Sequence, residues 1–220
     1  MEKKKSPLPP VLLEPLEARD SLDRCTQAVI ETDLPVAGFR IRANEPGARY
    51  SGLQFSGIYF DRCRLANTIF HQCSFTDTVF QGCDLSGCDF SSAYFNRCRW
   101  EGCRGAGANF SDARIHQTVF QENSFSYAAF FSAKLTGVQF LTCDLSGADM
   151  VECTLKDFAF EETRLTGASF FKTSLAGIDL TGCPLEGIRV SEHYTELRGA
   201  IVDLFQAAEL AKLLGITIKP

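Results

Sequence analysis

The sequence is poor in several residues that usually serve chemistry or fill irregular gaps. Of 220 residues, two are methionine, one is tryptophan and three are histidine. His71, His116 and His193 stand apart, with no repeated serine or cysteine nucleophile beside them, so no catalytic constellation is visible. No stretch of about 18 apolar residues occurs, so no membrane-spanning helix is predicted. Basic residues are outnumbered, 22 to 27, for a formal charge of -5. That balance argues against nonspecific nucleic-acid binding, which needs a basic surface, and suits a basic partner. The opening stretch "MEKKKSPLPPVLLEPLEARD" does not read as a secretory signal. Its apolar run is cut by Pro7, Pro9, Pro10 and Pro15 and has no small-residue cleavage site. The expected compartment is the cytoplasm, where thiols stay reduced. Cysteine itself is not scarce: there are 10, but without CxxC spacing.

What the sequence has is a period. Large apolar residues fall five apart from Tyr50 to Val190, through Phe55, Phe60, Leu65, Phe70, Phe75, Phe80, Leu85, Phe90, Phe95 and Trp100. After Gly105 the run resumes at Phe110 and continues through Ile115, Phe120, Phe125, Phe130 and onward. A helix face repeats near 3.6 residues and a strand face at 2, so neither explains a period of five. The chain must turn a corner every five residues and place one large side chain on each side of a square. Two places before each centre sit small residues, among them Cys83, Cys88, Ala93 and Cys98. Two places after it glycine is frequent, as at Gly82, Gly87 and Gly102, which suits a turn with positive φ. Two side chains of each five then point in and three point out.

The stretches "GADMV" and "GCDLSGCDFS" carry this pattern in full. It resembles the pentapeptide repeat family, with consensus A(D/N)LXX, over residues 25–202. The resemblance implies an all-β fold, a right-handed quadrilateral parallel β-helix with four pentapeptides per coil of 20 residues. About seven coils at about 4.8 Å give a rod roughly 34 Å long. Residues 20 apart then stack in columns, with ladders of aromatic rings in the core. The gap at Gly105 lies between Leu85 and Phe125 and is expected to be filled by Trp100. Nine of the cysteines occupy the small inward position and read as small buried hydrophobes rather than ligands or bridges. Asn123 enters the same column as Cys103 and Cys143 and needs internal hydrogen-bond partners.

Outward residues sort by face. Around the Phe60 column lie Asp61, Glu101, Glu122, Glu161, Glu162 and Asp179, against Arg62 and Arg99. Around the Phe90 column lie Asp89, Asp112, Asp149 and Glu152, against Lys172 and Arg189. The face of Phe95 and Ile115 is more basic, with Arg97, Arg114, Lys134 and Lys156. The acidic faces read either as solvated surface or as stripes that meet a basic groove.

Both ends break the period. Residues 1–24 read as a flexible extension. Val29, Leu34 and Phe39 are five apart but shifted by one, and "RIRANEPGAR" between phases reads as a bulge or short loop carrying Arg42, Asn44, Glu45 and Arg49. After Val190 the phase slips across "SEHYTE" and returns at Leu197 and Val202. Residues 203–220 then read as a short capping and dimerisation α-helix. Asp203 is its N-cap, Leu204, Ala207, Ala208, Leu210, Ala211 and Leu214 its apolar surface, Gly215 its C-cap, and "ITI" a short strand. An open solenoid end exposes core, so such a helix must cover it, pair with a second copy, or do both.

A repeat run closed by "QAAELAKLLGI" resembles the Qnr-type members of the family. The resemblance implies a homodimer joined at the C-terminal end. It also implies a cofactor-free, non-enzymatic DNA mimic that binds DNA gyrase or topoisomerase IV and counters quinolones or peptide toxins, without contacting nucleic acid itself. The alternative is a structural or scaffold protein of the same fold with a different protein partner.

Overall fold

Large residues five apart share one core only if the backbone reverses between them, and it does so at the same place in every repeat. The computed structural model describes residues 6–27, 29 and 34–219; residues 1–5 of the expected extension, 28 and 30–33 of the expected repeat region, and 220 lie outside them. From Gly47 to Gly187, every residue two places after a centre has φ between 46° and 75°. Glycine adopts this without strain, but Asn67, Asp112, Tyr127 and Lys172 adopt it too. Each non-glycine corner costs roughly 1–2 kcal/mol. The corner amide recovers part of this by bonding to the next coil, as Asp112 N does to Phe131 O at 2.8 Å.

The result is a parallel β-solenoid with four faces. Two carry regular ladders. One runs through Val36–Ala37, Gln54–Ser56, Ser74–Thr76, Tyr94–Asn96, the first halves of Arg114–Gln121 and Lys134–Leu141, and Thr154–Lys156. The other runs through Glu17–Arg19, Phe39–Ile41, Tyr59–Asp61, Val79–Gln81, Arg99–Glu101, the second halves of the same two long strands, and Ala159–Glu161. We call them the Phe75 face and the Phe80 face. The Leu85 and Phe90 faces stack through single bridges such as Arg64↔Asp84 and Ile69↔Asp89.

The centres fill the interior. Phe60 and Phe80 stack with centroids 4.7 Å apart, Phe70 and Phe90 at 5.2 Å, and Phe120 and Phe140 at 4.5 Å. Neighbouring columns meet edge to face, the arrangement aromatic quadrupoles favour. Trp100 is buried between Phe80 and Phe120, and its indole N–H has no partner among the described residues. The expectation that Trp100 fills the gap at Gly105 is corrected. Phe125 from the next coil fills it, with ring atoms Cδ1 and Cε1 where a Gly105 side chain would begin, and Trp100 packs edge-on against that ring at 5.8 Å.

The narrow inward position is small but not inert. All ten cysteines carry free, buried thiols. Cys88 donates to Leu65 O at 2.9 Å, Cys98 to Phe75 O at 3.3 Å and Cys153 to Phe130 O at 2.9 Å. Thr163 and Thr173 donate to the corresponding carbonyls, Phe140 O at 3.1 Å and Met150 O at 2.6 Å. They also accept from Cys143 N and Cys153 N one coil below. Asn123 plays both parts, accepting from Cys103 N at 2.7 Å and donating to Trp100 O at 3.1 Å. Burial pushes the thiols of Cys73, Cys88 and Cys98 up to about 12, so they are poor nucleophiles at neutral pH. Asn123→Ala is expected to strand both buried partners and to cost about 2–4 kcal/mol, whereas Asn123→Thr should cost about 1 kcal/mol. Denaturant unfolding followed by the fluorescence of the sole tryptophan reads the difference, and equal losses would remove the relay role.

Both ends depart from the predicted outline. Val36 and Ile41, not Leu34 and Phe39, stack under Phe55 and Phe60; Leu34 is exposed. The offset between coils is 19 residues there and returns to 20 at Asn44↔Arg64. The phase break is therefore a one-residue deletion inside the coil, not a projecting loop. Asn44 and Arg49 bridge to Arg64 and Ile69, Glu45 N bonds to Arg64 O, and Arg42 N bonds to Arg19 O. The N-terminal stretch joins the solenoid: Glu17–Arg19 adds the first rung, and helix α1 (Leu22–Gln27) buries Leu22, Cys25 and Thr26 over the end. Glu45 accepts from Leu22 N at 3.1 Å and Asp23 N at 3.2 Å, which holds α1 by its first turn.

At the other end the last coil gains two residues, since Asp179 pairs with Ile201. A 3₁₀ turn at Thr195–Leu197 absorbs them. Helix α2 (Leu204–Ala211) begins with a reciprocal cap, Asp203 and Gln206 each accepting the other's N–H. Gln206 Nε2 also donates to Leu180 O at 2.6 Å and Cys183 O at 2.8 Å, pinning the helix to the last coil. Gly215 ends the turn with φ 73°. The predicted strand "ITI" is not one; residues 216–219 have no regular structure.

Candidate protein-binding surface

Three outward side chains per repeat make the surface, and the ten predicted acids do not form two uniform stripes on it. Asp61 is only 2% exposed, so it is not a surface group. Burial pushes its carboxyl up, but guanidiniums of Arg42 at 2.6 Å and Arg40 at 2.9 Å outweigh that and hold it below the usual range. The 19-residue offset is the cause, because it seats Arg40 and Arg42 beside Asp61. With Arg62 3.9 Å away, the Phe80 face begins with a basic tip. Arg19, Arg24, Arg40 and Arg42 line an adjoining open cleft of about 880 Å³ over Phe39.

Further along the same face the sign reverses. Glu122, Glu161 and Glu162 are exposed, and among the described residues none has an ion-pair partner. Glu101 lies below them, 3.4 Å from Arg99. Asp179 is half-buried and accepts from Thr181 N at 3.0 Å and Thr181 Oγ1 at 2.7 Å.

The Phe90 face is less acidic in effect than its composition. Asp89 accepts from Ser91 N and Asn109 Nδ2, both at 3.0 Å. Asp149 is half-buried, and Glu152 pairs with Lys172 at 2.7 Å. Only Asp112 stands exposed without an ion pair among the described residues of this set. The same face carries Phe131 and Phe171, both more than one third exposed, in one column with half-buried Val151. His71 Nδ1 lies 2.8 Å from Ser91 Oγ, a surface rung with no third group orienting the ring among the described residues.

At the C-terminal end the predicted apolar surface divides in two. Leu210 leans on the core together with Leu213, and Ala208 and Ala211 are half-buried. Leu204, Ala207 and Leu214 are exposed, Leu204 at 81%. Phe205, which sequence reasoning missed, is 85% exposed. The Gln206 anchor fixes the helix rotation and so decides which residues remain uncovered.

A family model described as a pentapeptide repeat region matches residues 53–130 and 73–148, and one described as pentapeptide repeats matches residues 150–187. Among solved structures, full-length QnrB1, a plasmid-mediated fluoroquinolone resistance protein, is similar with a TM-score of 0.51 and 22% identity. The match covers 91% of this chain and 95% of that one. A trypsin-treated form of QnrB1 gives a TM-score of 0.51 and 22% identity over 82% and 92% of the two chains. At this identity the likeness is one of fold. A search of the curated proteins finds no match.

Proposed function

The chain belongs to the pentapeptide repeat family, and on that premise we propose that it is a cytoplasmic, non-enzymatic DNA mimic. Its partner is DNA gyrase or topoisomerase IV, which it protects from quinolones or topoisomerase-poisoning toxins. The observation that carries this reading is the run of Glu101, Glu122, Glu161 and Glu162 along one straight face, three of them exposed and without an ion pair among the described residues. Coils about 4.8 Å apart hold these charges on a rigid rod, where a basic groove built for a polyanion can meet them. The fold shared with QnrB1, itself a fluoroquinolone resistance protein, supports the quinolone arm. The test is supercoiling by purified gyrase with a quinolone present. Added protein should restore activity in a dose-dependent way and compete with DNA; failure in both respects removes the reading.

The exposed end of α2 supports a homodimer, because Leu204 and Phe205 offer apolar area that a second copy would cover. Leu204→Glu with Phe205→Glu is expected to halve the mass seen by light scattering and leave the melting temperature within a few degrees. Leu210→Glu should instead destabilise the last coil. A wild type already monomeric at micromolar concentration would dismiss the dimer and leave the acidic face untouched.

A scaffold role with another protein partner is the second reading. The column Phe131, Val151 and Phe171 favours it, since a DNA mimic has no use for exposed aromatic rings. A pull-down with the full chain that retains a non-topoisomerase partner, and loses it on Phe131→Ser with Phe171→Ser, would support this reading over the first.

A further inference from the structure

Residues 6–13, "SPLPPVLL", do not trail away from the rod. They lie along the corner between the Phe75 and Phe80 faces. Leu8 N donates to Gln117 Oε1 at 2.9 Å, and Val11 N donates to Asp77 Oδ1 at 3.0 Å. The segment runs against the direction of coiling, from the coil of Gln117 back past the coil of Asp77, and then enters the first rung at Glu17–Arg19.

Its main-chain amides are held by side chains of the rod rather than by a strand ladder. Main-chain donors of this corner are already turned along the axis, Gly57 N to Thr76 O, Asp77 N to Asn96 O and Arg97 N to His116 O. The two amides of the passing segment go to side-chain acceptors of this corner. Arg97 grips Asp77 through two bonds, Nε at 2.7 Å and Nη2 at 2.5 Å, and so aims the carboxylate. Gly137 leaves room for the Gln117 amide, which sits where a Gly137 side chain would be.

The spacing of the two acceptors fits one backbone conformation. Asp77 and Gln117 are two coils apart, about 9.6 Å at about 4.8 Å per coil. Three residues of polyproline II span about 9.3 Å at about 3.1 Å each, so amides three apart meet acceptors two coils apart. Pro7, Pro9 and Pro10 favour that conformation before contact and reduce its entropic cost. Pro7 is buried and Leu12 half-buried, whereas Leu8, Val11 and Leu13 are 58%, 59% and 79% exposed. The same spacing brings Asp157, exposed, two coils beyond Gln117.

We propose that this corner is a recognition track for an extended, proline-rich peptide with the pattern Pro-x-x-Pro and a free amide after each outer proline. The chain's own residues 6–13 fill it in cis, and the partner it fits is a proline-rich segment of another polypeptide that takes their place. The acidic face and its partner play no part in this inference, so either can fail alone.

The test uses the full chain. Leu8→Pro with Val11→Pro removes both donors, keeps the extended conformation and touches no core residue. In the wild type, amide exchange at Leu8 and Val11 should be at least tenfold slower than at Leu13. A fluorescein-labelled peptide SPLPPVLL should bind the L8P/V11P chain at least tenfold more tightly than the wild type, by anisotropy. Adding Asp77→Gly and Gln117→Gly, which remove both acceptors and suit the left-handed corner, should abolish that binding while Trp100 fluorescence reports a melting temperature within a few degrees. A peptide with its prolines replaced by glycine should bind at least tenfold more weakly. Exchange at Leu8 as fast as at Leu13, no binding to L8P/V11P, or binding indifferent to Asp77 and Gln117 would each overturn the proposal.

Discussion

Replacing Gly105 by leucine completes the five-residue period and is expected to destabilise the rod rather than improve it. The space that a side chain there would take is already held by the Phe125 ring. That ring is enclosed by Trp100 at 5.8 Å, Phe110 at 5.8 Å and Phe120 at 5.7 Å, so it has no empty volume to enter. Overpacking usually costs 1–3 kcal/mol, and a loss of about 3 kcal/mol or more is expected here because Phe125 and its neighbours must all move. Phe125→Leu alone should cost about 1–2 kcal/mol through the cavity it leaves. The double variant joins Leu65 and Leu85 to Leu145, Leu165 and Leu185 in one unbroken leucine column, and should recover most of the loss. A double-mutant cycle by urea unfolding should give a coupling of about 3 kcal/mol. Additive effects would show that Phe125 is not what occupies the gap.

Reversing the exposed charges Glu122, Glu161 and Glu162 to lysine should weaken binding to the proposed topoisomerase partner by about 100-fold at 0.1 M salt. The three carboxylates have no ion pair among the described residues, so reversal removes attraction without breaking the fold. The effect should shrink as salt rises, because exposed charges are screened within about 8–10 Å. The control is Asp112→Lys with Glu152→Lys on the Phe90 face, where Glu152 is already neutralised by Lys172. That pair should change affinity by less than tenfold. Equal losses from both sets would mean that net charge, not one face, governs association.

Much of this molecule can be read without coordinates, because each repeat meets the same surroundings. A centre such as Phe90 is flanked by Phe70 and Phe110 twenty residues away, so the period alone implies both burial and register. Cys88 is small for the same reason that Ala108 is. Asp203 and Gly215 announce their helix because capping is a local matter. The misreadings occur where the answer lies in a neighbouring coil. Phe125 enters the Gly105 gap from twenty residues ahead, and its own position in the period looks ordinary. Asp61 looks like a surface acid until a single deletion brings Arg40 and Arg42 against it. The segment from Pro7 to Leu13 has no period, and its amides bond to Asp77 and Gln117, far along the chain. Phe205 was hidden by a stripe chosen on helical spacing alone, whereas Gln206 sets the rotation through carbonyls of the last coil.

The corners have one more consequence. Glycine, aspartate, tyrosine and lysine all adopt the same left-handed backbone at this place, so corner geometry belongs to the stack and not to the residue. A block of twenty residues is then a graduation mark. Excising or duplicating one shortens or lengthens the rod by about 4.8 Å and returns every column to its place. Such a chain is a ruler: evolution can set the distance between its two dissimilar ends in whole steps without redesigning either.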